Sequence, residues 1–372
     1  MPVGPIVLPF LGSEIGGSHI STFTLARSLT SDFGVRCIVL APGGTRIAKE
    51  AGRLGLEVLP TGEGPAMRHR NNPFYDLVRF APRLRLLKRY GRNAIVHCND
   101  VGTLQAWGPV AKTLGLRLVY HHRALKFRLN RLLVPMADGV ICISEACRQT
   151  VSFLPGKITY SVTNPISVAI DIDRRSARAA FLESYGFASD SVLIGFIGNF
   201  WSRKRPEFFL DVCAAVAKRD ERTRFVVFGR NGDIAEAQLV KRAKDNGISD
   251  RAAFAGFRLP IDKNIAALDL LLAPAFDEPF GRTLVEALLL GTPYVATADA
   301  GHSEIASRWA GGRLVDPSAT VEQFADAAIL ALADSANIVL SREVRLGISR
   351  ELSARVHADK VLAIYRRIHA FG

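Results

Sequence analysis

No apolar run in the 372 residues approaches the roughly 18 to 20 needed to cross a bilayer as a helix. A membrane-spanning helical protein is therefore excluded. Cysteine is scarce, with five residues (Cys37, Cys98, Cys142, Cys147, Cys213) scattered through apolar runs at no zinc-binding spacing. That excludes a disulfide scaffold or a zinc ribbon and suits reduced thiols in a cytoplasm. There is no low-complexity tract, and the N-terminal "MPVGPIVLPFLG" lacks a basic n-region, so it reads as a first strand and not as a signal peptide. No G-x-G-x-x-G follows a strand, so no nicotinamide site is expected. Ser144 in "ICISEAC" has neither a nucleophile elbow nor a paired acid, which makes it a helix cap and not a hydrolase serine. The acids of "DID", Asp171 and Asp173, fall away from any strand end, and no metal role is expected of them.

What is present begins with charge. The formal net charge is +13, but residues 1–163 hold 21 Lys and Arg against 9 Asp and Glu, whereas residues 164–372 hold 27 against 26. The excess concentrates at 67–92 and 117–131, where basic residues alternate with Phe, Leu and Tyr. Such segments suit an anionic membrane face, at about 1 kcal/mol per basic residue near the surface; a solvated basic helix face is the plainer alternative. Nothing resembles a nucleic-acid recognition module, and nucleic acid is not expected as a partner.

Short β-branched runs alternate with longer helical patterns, the signature of βαβ units and parallel sheets. The first half offers "PIVLPFL", "RCIVLAP", "LEVLPT", "AIVHCN", "RLVYHH", "GVICIS" and "ITYSVT". The pattern lapses over 164–190 and resumes with "VLIGFIG", "RFVVFG", "AAFAGF", "LDLLLAP", "PYVAT" and "GRLVD". Two doubly wound domains follow, with ligands expected at the carboxyl ends of their strands.

Four strand-to-helix corners carry chemistry. "LGSEIGGSHIST" sets Gly16 and Gly17 at a helix start, where amides can approach an anion; a plain tight turn is equally open. "IGNFWSRKRPEFFLDV" places Arg203, Lys204 and Arg205 after Gly198 and Asn199. Three adjacent cations call for an offsetting charge, from a phosphate or from Glu207 and Asp211. "LVYHHRAL" ends a strand in His121 and His122, suited to proton transfer or to bonding a sugar hydroxyl. In "EPFGRTLVEALLLGTP", Thr283 and Glu286 have capping-box spacing, and Gly291 ends the helix. Before it stand Glu278, Phe280 and Gly281, with Gly281 leaving room for a ligand at the amides of Arg282 and Thr283. Glu278 has no evident structural duty.

In order and spacing these segments resemble retaining glycosyltransferases of family 4, with Glu278 and Glu286 as the Glu-x7-Glu signature. "VICISEACRQ", "VTNPI", "AGHSEI", "GGRLVDPS" and the tyrosine-bearing last helix extend the likeness over most of the chain. The resemblance implies an α/β GT-B architecture of two Rossmann-like doubly wound domains with an interdomain cleft. Its parts would be an acceptor-binding domain (1–168), a nucleotide-sugar-binding domain (169–350) and a helix crossing back (351–372). It implies transfer of a sugar from a UDP- or GDP-sugar to a hydroxyl on a glycan or lipid-linked acceptor, without metal or cofactor, in cell-surface glycan or lipopolysaccharide synthesis. The setting would be cytoplasmic, at the inner membrane face.

Residue by residue, the resemblance assigns His121 to the transferred sugar and Glu278 to donor-sugar hydroxyls. It assigns Glu286 to the ribose, and Phe280, Gly281, Arg282 and Thr283 to the diphosphate and sugar. Lys204, near Gly198, is the phosphate-binding lysine, and Gly16 and Gly17 form the donor-phosphate loop. Three positions depart from the pattern. Asn199 replaces an arginine, a loss that Arg203 or Arg205 would have to make good; Ala275 stands where serine is common; and the histidine is followed by His-Arg, not aspartate. A nucleotide-sugar epimerase of similar two-domain architecture is the competing expectation.

Overall fold

The chain is described by a computed structural model covering residues 3–63, 73–126, 130–258 and 260–370. Parts of both basic stretches, 67–72 and 127–129, lie outside the described residues. Each of the thirteen apolar runs contains a strand. They are β1 (Ile6–Pro9), β2 (Cys37–Ala41), β3 (Glu57–Pro60), β4 (Ile95–Cys98), β5 (Arg117–His122), β6 (Gly139–Cys142) and β7 (Thr159–Ser161), then β8 (Val192–Ile197), β9 (Thr223–Phe228), β10 (Ala252–Gly256), β11 (Leu270–Ala273), β12 (Tyr294–Thr297) and β13 (Gly312–Val315). Central strands such as β1, β4 and β6 are buried along their whole length, as parallel strands covered on both faces must be. This is why they read as continuous apolar runs and not as alternating ones.

The chain divides into two compact units, Met1–Pro165 with Leu352–Gly372, and Ile166–Glu351. The first holds a parallel sheet in the order β3-β2-β1-β4-β5-β6-β7, the second one in the order β10-β9-β8-β11-β12-β13. Both are doubly wound, and the strand order reverses between β1 and β4 in one and between β8 and β11 in the other. Ligands of open α/β sheets bind beyond the carboxyl ends of the strands at such reversals.

The core of the first unit joins Leu8, Phe10, Phe23 and Val39 to Val361, Leu362, Tyr365 and Ile368 of the last helix, Ala354–Ala370. That helix is thus a layer of the first unit despite its distance in sequence. The second unit packs Ile194, Phe196, Phe209, Phe225, Leu270, Val295 and Phe324. All five cysteines are buried free thiols. Ser144 caps its helix by accepting from the Cys147 amide, and Asp173 caps the helix Arg174–Ser184. Asp171 pairs with Arg342 at 2.7 Å.

The basic stretch at 67–92 is not simply a solvated face. Arg83, 1% exposed, pairs with Glu63 at 2.9 Å and Asp76 at 2.8 Å and donates to the carbonyl of Ala106. Its guanidinium also lies over the Trp107 ring. Removing one partner of a buried ion pair leaves the other charge uncompensated and costs about 3 to 5 kcal/mol. Arg83→Ala is expected to lower the unfolding free energy by roughly that amount in urea denaturation, whereas Arg85→Ala on the same helix should change it by less than about 0.5 kcal/mol.

Candidate active site

The two strands that flank the reversal in the second sheet, β8 and β11, deliver the loops that build its candidate site. After β8, the chain passes Gly198 and Asn199 into a short 3-10 turn, Ser202–Lys204. After β11 it passes Pro274 and Glu278 into the helix Arg282–Leu290. A backbone bond from the Phe276 amide to the Arg203 carbonyl, 2.7 Å, ties the two loops together.

At their meeting point the carboxylate of Glu278 accepts from Lys204 Nζ at 2.5 Å and Arg203 Nη1 at 3.2 Å. Its other oxygen accepts from the Gly281 amide at 3.3 Å. The residue is only 8% exposed. Burial alone would raise its pKa, but Lys204, then Arg203 and His302, overrule that and hold it down at about 2. The expectation that Glu278 lacks a structural duty is corrected here: it fastens its own loop and neutralises the cations after β8. Sequence could not reveal this, because the partners lie more than 70 residues away.

The capping-box expectation is also corrected. The helix begins at Arg282, and its N-cap is Gly281 at φ 87° with no side-chain cap. Thr283 sits inside the first turn, and Glu286, buried, accepts from Arg282 Nε at 2.7 Å. Burial raises the Glu286 pKa against the opposing pull of Arg282. The amides of Arg282 and Thr283 are first-turn donors, with no acceptor available inside the helix. A left-handed residue is needed at 281, and a side chain there would press on His302, its Cβ coming within 3.0 Å of that ring.

Three non-glycine residues have positive φ among the described residues: Arg205 at 55°, Asp277 at 50° and Ala300 at 41°. Each adjoins this site, and such conformations cost about 1 to 3 kcal/mol apiece unless the surroundings enforce them. The enforcing contacts are visible. The Asp277 amide donates to Asp299 at 2.6 Å, the Gly301 amide donates to the Glu278 carbonyl at 2.9 Å, and a Cβ at Gly301 would come within 2.6 Å of the Phe280 backbone.

The turn at Arg205 separates the three adjacent cations. Its guanidinium is sandwiched between the rings of Phe208 and Phe276, at 3.7 and 4.2 Å from their centroids. Of the two arginines that could make good the loss at Asn199, Arg205 is committed to packing. Arg203, 44% exposed at its side chain, remains beside Lys204. Of the two alternative acids, Asp211 is engaged elsewhere, pairing with Arg242. His302 was not singled out from the sequence. It is buried beside Gly281, held neutral by burial at a pKa of about 4, and its Nδ1 has no hydrogen-bond partner among the described residues.

The first unit holds the remaining expected residues. Gly16 is the N-cap of the helix Gly17–Phe33 after β1, and its amide donates to His19 Nδ1 at 3.1 Å. Gly17 follows with open space where a side chain would stand. His121, at the end of β5, is wholly buried and meets His97 and Arg123. His122 turns to Tyr120 and Thr150, at 2.9 and 2.7 Å. Arg123, two places after His121, donates to Asn99 and Asn164. Neither His97 nor Arg123 was marked in the sequence as part of a site.

Two Rossmann-like parallel units, the second with cations beside a helix start at its strand reversal, define an α/β protein of GT-B type. Over 97% of this chain and 98% of the other, the fold is similar to the crystal structure of Anabaena HepE in complex with UDP and glucose, with a TM-score of 0.82 at 18% identity. Residues 15–160 match the family described as glycosyltransferase family 4, and residues 191–334 the family described as glycosyl transferases group 1. The chain belongs to the family 4 glycosyltransferases. It is 29% identical, over 50% of its length and 43% of the relative's, to a D-inositol 3-phosphate glycosyltransferase of Mycolicibacterium smegmatis. It is 27% identical, over 61% and 58%, to a 2-deoxystreptamine glucosyltransferase of Streptomyces kanamyceticus. The chain spans about half the length of the curated relatives it matches.

The buried histidines of the first unit make its stability pH-dependent. Burial lowers His97 and His357 from 6.5 to about 3, His122 to about 4, and His121 well below 6.5. The unfolded chain binds these protons near pH 6.5 and the folded chain does not, so stability is complete above pH 6.5 and is lost as pH falls toward 4. Each group contributes a slope of about 1.4 kcal/mol per pH unit. Urea denaturation at pH 7.5 and 5.5 should show a loss of several kcal/mol, and a flat profile would contradict the burial of neutral histidines.

Proposed function

We propose that the protein transfers a sugar from a nucleoside diphosphate sugar to a hydroxyl acceptor, with retention of anomeric configuration and without a metal. The observation that carries this reading is the buried Glu278 carboxylate, held ionised by Lys204 and Arg203 beside the uncapped helix start at Arg282. Cleaving a sugar from a diphosphate leaves negative charge on the phosphate. Lys204, Arg203 and the amides of Arg282 and Thr283 are donors of the kind that stabilises it. A carboxylate with a pKa near 2 is a poor base, so Glu278 is read as an acceptor for sugar hydroxyls. Glu286 is read as holding the ribose diol, and His121 as donating to a sugar hydroxyl. The donor is a UDP- or GDP-sugar, in keeping with the UDP and glucose bound by HepE.

A nucleotide-sugar epimerase is not favoured, since both matching families are transferases. It would release an epimer with no acceptor present, which NMR of the nucleotide sugar would detect. The acceptor is read as a glycan or lipid-linked glycan in cell-surface or lipopolysaccharide synthesis, at the cytoplasmic face of a membrane. Supporting this, Leu77 and Val78 are 70% and 62% exposed on the basic helix Pro73–Leu87. No helix among the described residues is long and apolar enough to span the bilayer.

Thermal shift with UDP-, GDP- and ADP-sugars tests the donor. A ligand at 100 times its Kd should stabilise by about 2.7 kcal/mol. Lys204→Ala should lower kcat by about 100- to 1000-fold, and full activity in that variant would sink the assignment. Flotation with phosphatidylglycerol vesicles tests the surface: binding should weaken in Leu77→Glu/Val78→Glu and in 0.5 M salt, and pure phosphatidylcholine should not bind.

A further inference from the structure

Hydrogen-bond chemistry fixes the protons of the histidine cluster in the first unit. Arg123 Nη2 lies 3.2 Å from His121 Nδ1, and a guanidinium only donates, so that nitrogen is bare. His97 Nε2 faces the same atom at 3.2 Å and must bring a proton, since two lone pairs would repel. The Nδ1 of His97, bare in the neutral ring, then accepts from the Tyr365 hydroxyl at 2.5 Å. Burial and the Arg123 charge keep His97 and His121 neutral. The proton of His121 is therefore on Nε2, a buried atom with no partner among the described residues.

His357 is fixed in the opposite sense. Its Nδ1 lies 2.8 Å from the Thr163 carbonyl, which can only accept, so the proton is on Nδ1 and Nε2 is bare. That Nε2 is likewise buried without a partner. The two rings lie nearly parallel, 14° apart in plane with centroids 6.1 Å apart. One orphan donor and one orphan acceptor thus sit on neighbouring neutral rings, in a protein interior where such groups are normally satisfied. A carboxylate or phosphate would leave the acceptor unpaired, and an ammonium would leave the donor unpaired. A hydroxyl meets both.

We propose that His121 and His357 form a recognition pair for one hydroxyl of a sugar substrate, with Arg123 as the positioning residue that keeps the His121 proton on Nε2. The sugar rests on the transferase reading; the proton positions do not. An ordered water filling the pair is the competing outcome.

Nitrogen-15 NMR of histidine-labelled protein at pH 7 reads the tautomers without any substrate. His97 and His121 are expected protonated on Nε2 and His357 on Nδ1. Arg123→Met should bring His121 into a mixture of tautomers and shift the His97 signals. A His121 protonated on Nδ1, or spectra unmoved by Arg123→Met, would overturn the lock.

The hydroxyl is tested with UDP-glucose and its 3-, 4- and 6-deoxyfluoro analogues, since fluorine cannot donate. Fluorine at one position should weaken binding by about tenfold. That penalty should vanish in His357→Leu and persist in part in His357→Gln, whose amide still accepts. An equal penalty in wild type and His357→Leu, or none at any position while UDP-glucose binds, assigns the pair to water and overturns the proposal. If neither UDP-glucose nor GDP-mannose nor ADP-glucose binds, the transferase reading and the sugar ligand fall together, while the tautomers still decide the role of Arg123.

Discussion

One carboxylate organises the second unit. Burying Glu278 is tolerable only because Lys204 and Arg203 lie against it, and those cations can stand side by side only because the carboxylate is there. Each half of that pairing comes from a different strand of the reversal point. The ion pair therefore fixes the two loops relative to each other as firmly as the backbone bond from Phe276 to Arg203 does. The left-handed residues at 205, 277 and 300 are held in place by this arrangement. They turn one cation away, aim the carboxylate inward and seat the helix Ala300–Arg308 against the loop. Burial cost, strain and charge are thus concentrated at the sheet edge where a doubly wound fold binds its ligand.

Around the end of β5 the first unit buries polar groups in the opposite way. There it uses neutral rings, His97, His121 and His357, whose protonation is suppressed by burial. Among the described residues that bond His121, Arg123 supplies the only cation, and it is itself anchored by Asn99 and Asn164. The consequence is chemical. The second unit gathers positive charge beside the first-turn amides at its strand reversal, while the first gathers uncharged rings at the end of β5. The last helix is essential to the second of these, because it brings Tyr365 and His357 to strands more than 200 residues earlier.

Much of the fold was legible in sequence, and the reason is the sheet type. Parallel strands buried on both faces appear as unbroken apolar runs, and all thirteen runs hold strands. The site was legible where it depends on local order: Gly281 before a helix, Lys204 after a strand, Glu278 and Glu286 at fixed spacing. It was illegible wherever partners are distant. Thr283 and Glu286 have capping-box spacing, yet Arg282 captures Glu286 and Gly281 takes the cap, since the loop enters the helix two residues earlier than that spacing implies. Glu278 seemed idle because its partners come from another strand. Arg83 looked like one more basic surface residue until Glu63 and Asp76 enclosed it. His97 and His357 sit within ordinary apolar patterns, and only the packing of the last helix gives them meaning.

The low pKa of Glu278 constrains the chemistry under the transfer reading. A carboxylate held at about 2 by two cations neither takes a proton at neutral pH nor has electron density to spare for attack on carbon, because its oxygens already accept from Lys204, Arg203 and the Gly281 amide. Its remaining capacity is to accept from hydroxyl groups, which positions a sugar without reacting with it. Glu286 is the better base, its pKa raised by burial, but its oxygen is engaged by Arg282 at the first turn of the helix. The acceptor proton is then left to the departing diphosphate, the one group in the reaction whose basicity rises as the bond to the sugar breaks. Under the proposed reading, attack from the side on which the leaving group departs brings that proton and that oxygen together, which is the retaining course proposed above.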